Sequence, residues 1–206
     1  MFRKPILAGI VVAALALLPT TEANAITRGS GPLPNGETTF APMVIKGYDV
    51  QVAKANGYQI VTNADGTQES VPVTAAAVAQ RNQTAQLRVA GQAKAQASPA
   101  SSGDCGSSWV SGYKSANDTV KFSTGFIVYG AGYDYSWSVY AVGTITANSW
   151  STHGLGPATG TKSWTGAIYH VIGPGVGGVP FYSASASVIL VDGTVCYSNG
   201  PTFTFV

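Results

Sequence analysis

Two histidines, His153 and His170, and four aspartates, Asp104, Asp118, Asp134 and Asp192, are the residues with which the aromatic carboxy-terminal half of this chain could do acid–base chemistry. A serine hydrolase needs a nucleophile, a base and an orienting carboxylate in one place. Serines are plentiful, and His153 in Ser151-Thr152-His153-Gly154 reads as a glycine-flanked loop residue, the better placed of the two bases. His170 shares the parity of Trp164, Ile168 and Ile172, which predicts a hydrogen-bonded core or interface histidine. No Gly-x-Ser-x-Gly elbow occurs to present a nucleophile. A glycosidase needs two carboxylates across the scissile bond. Asp192 and Asp118 read as turn residues and Asp104 borders a linker, which leaves Asp134 without a partner. Two isolated histidines, no Cys-x-x-Cys pair and no acidic calcium loop specify no metal. No catalytic residue, metal or cofactor follows from these side chains.

Covalent chemistry is better supported. Cys105 and Cys196 are the only cysteines, and in an exported chain they make one disulfide. Closing so long a loop removes about 4–5 kcal/mol of unfolded-state entropy. The run Cys105-Gly106-Ser107-Ser108-Trp109 resembles the Cys-Gly-Ser-Cys-Trp stretch around the nucleophile of papain-like cysteine proteases. Ser108 stands where that family has its attacking cysteine, and Val110-Ser111-Gly112-Tyr113 makes a poor helix. Cys105 is therefore read as half of the disulfide.

Binding is the remaining class. Trp109, Trp137, Trp150 and Trp164 join eight tyrosines in this half, and most of them should pack a core. Those left on a surface can stack on sugar rings or anchor a protein. Trp150, flanked by Asn148, Ser149, Ser151 and Thr152, has the most exposed-looking surroundings, and Trp150, His153 and Tyr182 are the candidate ligand-binding residues. The formal charge is +2, and from Asp104 onward there is no arginine. Without a cluster of basic residues to displace counterions, nucleic acid is excluded as a partner. Extracellular polysaccharide and protein both stay open. The reading is a secreted, non-catalytic binding or interaction module. Its alternatives are a protease inhibitor presenting the uncharged Gly173 to Pro180 loop, and a hydrolase using His153 or His170.

The elements that must position these residues follow from the composition along the chain. Residues 1–25 read as a signal peptide: Arg3 and Lys4, an apolar run from Ile6 to Leu18, then Ala23-Asn24-Ala25. No later stretch is apolar for long enough to span a membrane. Residues 26–103 comprise a proline- and glycine-containing leader to Pro42, a short helix capped by Asp49, a hairpin, and an Ala/Gln-rich stretch that reads either as a solvated helix breaking up near Gly91 or as a flexible spacer. A Ser-rich linker closes this region, which could be a pro-segment. From 104 to 206 the pattern has period two, with six or seven short strands. The fold class is all-β: an antiparallel sandwich or partly closed barrel with a small, loosely attached amino-terminal helix and hairpin. A two-residue Asp192-Gly193 turn predicts that Ile189 pairs with Cys196 and shares its face.

The run Gly47-Tyr48-Asp49-Val50-Gln51-Val52-Ala53-Lys54-Ala55-Asn56-Gly57-Tyr58, the alanine-rich spacer and Cys-Gly-Ser-Ser-Trp together resemble small exported proteins of actinobacteria such as streptomycetes. The resemblance implies secretion from a Gram-positive host and no particular activity.

Overall fold

A computed structural model of the chain describes residues 37–95 and 103–206; the expected signal peptide and most of the linker lie outside these. The described residues form a ten-stranded antiparallel sheet, an appended two-stranded hairpin and two helices. The sheet comprises β1 (Glu37–Tyr48), β4 (Gly106–Ser115), β5 (Thr119–Val128), β6 (Gly132–Gly143), β7 (Ala147–Leu155), β8 (Thr161–Ile168), β9 (Gly175–Gly178), β10 (Ala186–Leu190), β11 (Thr194–Ser198) and β12 (Thr202–Phe205). Its order is β12-β9-β6-β10-β11-β1-β4-β5-β8, with β7 on the other edge of β6. The sheet folds back on itself, so that β12 packs on β4 and β7 approaches β8, but these last two strands do not pair and the sheet stays open.

Period two decides what fills the space between the layers. On β6 the inward parity is Tyr135, Trp137, Val139 and Ala141, as the alternation predicts, and these meet Phe122 and Phe126 of β5. Trp137 is fully buried and its indole N–H donates to Thr124 Oγ1 at 3.1 Å, so the burial leaves no orphaned donor. The Phe203 ring on β12 lies so close to Gly112 and Gly177 that a Cβ at either would sit 2.3 Å from it. Aromatic bulk on one strand is matched by glycine on its neighbours.

Strand β1 departs from the expectation of a leader running to Pro42. It is a twelve-residue strand that pairs with β4 from Glu37 to Met43 and with β11 from Met43 to Tyr48. Its inward residues Ala41 and Met43 are buried, which supplies the reason it is held. The sequence boundary near residue 104 therefore cuts through the sheet. The Cys105–Cys196 disulfide, with Cα atoms 5.8 Å apart, joins the lead-in of β4 to β11 across β1, where Ile45 lies opposite Cys196 and the Met43 carbonyl accepts from the Cys105 amide. A bulge follows in β1 between Ile45 and Gly47, and Asp104 Oδ1 accepts from the Ile45 amide at 3.1 Å.

Several other expectations are corrected. The β10–β11 ladder pairs Val188 with Cys196 and Ile189 with Val195, one residue away from the expected register. The connection is Val191-Asp192-Gly193, with the Gly193 amide donating to the Leu190 carbonyl, Gly193 at φ +85° and Asp192 Oδ1 accepting from the Thr194 amide. That is a three-residue loop ending in a left-handed glycine, and the slip moves Cys196 to the face of Val188. His153 lies on a strand, β7, and residues 175–178 form β9, paired on both edges with β6 and β12.

Between β1 and β4 the chain builds α1 (Val50–Ala55), β2 (Tyr58–Thr62), β3 (Gln68–Pro72) and α2 (Ala75–Ala95). Asp49 caps α1 by accepting from the Gln51 and Val52 amides at 2.9 and 3.0 Å. Helix α2 runs through Gly91 without interruption, since one glycine costs about 1 kcal/mol against a run of strong helix formers. This small unit docks on the β10–β11 turn: the Asp49 amide donates to the Gly193 carbonyl at 2.7 Å and Ser70 Oγ to the Asp192 carbonyl at 2.6 Å.

Candidate functional site

Strand parity separates the three candidate ligand-binding residues. Trp150 faces inward from β7, its ring 5.2 Å from Phe122 and 6.1 Å from Trp164 of β8. It plugs the unpaired seam between β7 and β8 and is half-buried there. His153, three residues on, points outward and is exposed. It lies opposite Ser136, with Asp134 one ladder step away on the same face. The residue types of a hydrolytic triad are thus neighbours, but no hydrogen bond links them, and Asp134 Oδ1 accepts from the Tyr135 amide at 2.7 Å. A base without a held nucleophile or an oriented carboxylate has no relay to work through.

His170 lies beyond the end of β8 in a left-handed conformation, φ +59°, and is exposed, so it is not a core histidine. The alternation of β8 stops at Ile168, and the reversed backbone turns His170 outward. Its carbonyl accepts from Thr146 Oγ1 at 2.5 Å. No three His, Cys, Asp or Glu side chains gather into a metal-binding group among the described residues.

Tyr182 is the candidate with built surroundings. It sits at φ +52° in the loop between β9 and β10, a conformation a tyrosine adopts at a cost of about 1–3 kcal/mol. The loop is pinned on both sides. The Tyr182 amide donates to the Ser198 carbonyl at 2.9 Å, Phe181 forms a bridge with Asn199, and the Asn199 amide donates to the Pro42 carbonyl at 3.0 Å. The outcome is a row of rings: Phe181 to Tyr182 at 5.7 Å and Tyr182 to Tyr197 at 6.0 Å. Lys46 Nζ stands 4.8 Å from the Tyr182 ring centroid. Phe181 is 69% exposed and Tyr182 40%, so an apolar surface that could have been buried is held in solvent.

This row adjoins the outward parity of β1, which carries Phe40, Pro42, Val44 and Lys46. Val44 lies opposite Tyr197 and Phe40 opposite Trp109, whose indole nitrogen lies 2.9 Å from where a Cβ on Gly125 would be. Phe40 is 53% exposed. The surface therefore runs along β1 from Phe40 to Lys46 and out onto the Phe181–Tyr182 loop. Among its residues, Lys46, Phe181 and Tyr197 escape a reading of motifs. One signal points there: Phe181 and Tyr182 are adjacent aromatics, and neighbours on an extended chain cannot both face inward.

One cleft, with about 350 Å³ of open space, lies between the amino-terminal unit and the sheet, lined by Tyr58, Ser70, Arg81, Thr84 and Asp192 among others. Its charged and phenolic groups are already engaged. Arg81 pairs with Glu69 at 3.2 Å, and the Tyr58 hydroxyl donates to the Ala77 carbonyl at 3.0 Å. Burial, with the nearby Asp192 charge adding to it, raises the Tyr58 phenol above its ordinary pKa. These are features of a docking seam.

Compared with known proteins, the chain matches no family model, no curated protein and no solved structure.

Proposed function

We propose that this protein is an exported, non-catalytic binding module that engages an extracellular polymer or protein through the Phe181–Tyr182–Tyr197 surface. One observation carries the reading. A pair of exposed aromatic side chains is presented on a loop whose backbone is fixed at both ends and held in a left-handed conformation at Tyr182. Stability alone favours neither the exposure nor the conformation, and costs of this kind collect where a surface is used. A disulfide fits export to an oxidising compartment, and no helix among the described residues is long and apolar enough to cross a membrane.

Tyr182→Gly separates function from stability. Glycine removes the ring and relaxes the left-handed backbone. The variant should unfold at an unchanged or higher urea concentration while its retention on polysaccharide and protein panels falls at least tenfold. Retention equal to the parent's would refute the reading.

A further inference from the structure

We infer that the ligand of this surface is an acidic carbohydrate polymer, its sugar rings stacked on Phe181 and Tyr182 and its anionic groups met by Lys46. The inference rests on the binding reading above and adds the chemical class. Three observations carry it.

The first is the kind of surface. Phe181 and Tyr182 are both exposed, their ring planes tilted by 31° to one another with centroids 5.7 Å apart. A pyranose presents a face of C–H bonds that lies against such a ring by dispersion and C–H to π contact, while its hydroxyls turn outward. The second is the neighbourhood of hydroxyls. Ser183 and Ser185 follow the rings in the same loop, both half-buried, with their Oγ atoms 2.9 Å apart. A hydroxyl both donates and accepts, which suits sugar hydroxyls of either sense.

The third is charge. Lys46 is exposed and enters no ion pair among the described residues, where the pairs are Arg81–Glu69 and Lys114–Asp118. Asp104, held beside the neighbouring Ile45, directs Oδ1 to the Ile45 amide. Lys46 Nζ is instead placed over the Tyr182 ring at 4.8 Å, a contact worth about 0.5–1 kcal/mol at an exposed site. That is enough to bias the rotamer and too little to satisfy the charge. A carboxylate, sulfate or phosphate on a glycan stacked against Tyr182 would take a charge-assisted hydrogen bond from an ammonium already in position. A neutral glycan would leave this cation unused.

The test is affinity electrophoresis of the full-length protein in gels containing polygalacturonate, alginate, an uncharged β-glucan or no polymer, at low and at physiological salt. Parent protein should be retarded by the acidic polymers, less so as salt rises, and little by the glucan. Lys46→Gln should weaken binding to the acidic polymers about tenfold, and Phe181→Ala with Tyr182→Ala should abolish it, with urea midpoints of both variants near the parent's because all three side chains are exposed. Equal retardation by the glucan with Lys46→Gln silent overturns the acidic class and leaves the binding reading standing. Retardation that survives loss of both rings, through Lys121 or Lys162, overturns both. Retention by no polymer overturns the carbohydrate, and the protein panel above then decides the binding reading separately.

Discussion

Two glycines with nearly the same backbone angle provide an internal comparison for how the amino-terminal unit is attached. Gly193 in the β10–β11 turn has φ +85°, and Gly66 in the β2–β3 turn has φ +84°. Alanine in a left-handed conformation costs about 1–2 kcal/mol at either position. The surroundings differ. A Cβ at Gly66 meets nothing within 4 Å, whereas at Gly193 it would lie 2.5 Å from the Asp49 carbonyl oxygen and 2.7 Å from Ala53 Cβ. These atoms belong to the cap and first turn of α1 and cannot move without lifting the helix from the turn. Overpacking of this kind costs about 1–3 kcal/mol. The Asp49 amide bond to the Gly193 carbonyl would go with it, adding about 1 kcal/mol. Gly193→Ala should therefore lose about 3–6 kcal/mol and Gly66→Ala about 1–2, a difference of roughly 2–4 kcal/mol read from urea unfolding followed by tryptophan fluorescence. Amide exchange at Asp49 and Ala53 should quicken only in Gly193→Ala. Equal losses in the two variants, or unchanged exchange at Asp49, would refute the claim that the turn is wedged against α1.

Replacing both cysteines, Cys105→Ala with Cys196→Ala, should lower stability by about 4–5 kcal/mol, the loop entropy for a separation of 91 residues, measured by urea denaturation of oxidised parent against variant. Asp104→Ala should cost about 1 kcal/mol by unsatisfying the Ile45 amide at the bulge, with Asp104→Asn recovering most of it in the same assay. Tyr58 has a pKa raised by burial, so the folded state holds the phenolic proton longer than the unfolded chain does. Its contribution is complete below about pH 10 and is lost as pH climbs through the raised value. Tyr58→Phe should cost about 1 kcal/mol at pH 7 and flatten the alkaline decline in stability, leaving the share from Tyr48, which burial also raises.

The β class, the helix cap at Asp49, the inward face of β6 and the disulfide are all legible in the sequence, because each is set by local chemistry or strict alternation. What is not legible depends on partners distant in the chain. Strand β1 is hidden by Pro42, since proline argues against a strand interior. Pro42 is tolerated because it lies in the half of β1 that pairs with β4 alone, while pairing with β11 begins at Met43. The β10–β11 register differs by one residue from the expected one because Asp-Gly serves a two-residue turn and a three-residue turn equally well. The contacts that hold the turn in its place, such as those of Gly193 with Asp49 and of Val191 with Ala131, come from distant parts of the chain. The candidate surface is assembled from β1, β11 and the loop before β10, so no contiguous motif could announce it. Tyr182 is reached as an aromatic residue, but Lys46 comes to it across the fold.

The bond between Cys105 and Cys196 spans a strand that belongs to neither of them. Residues 37–48 precede Cys105 and so lie outside the covalent loop that the bond closes. Reduction would remove the covalent link between the two flanking strands, and β1 would then hold them together through its two hydrogen-bonded ladders.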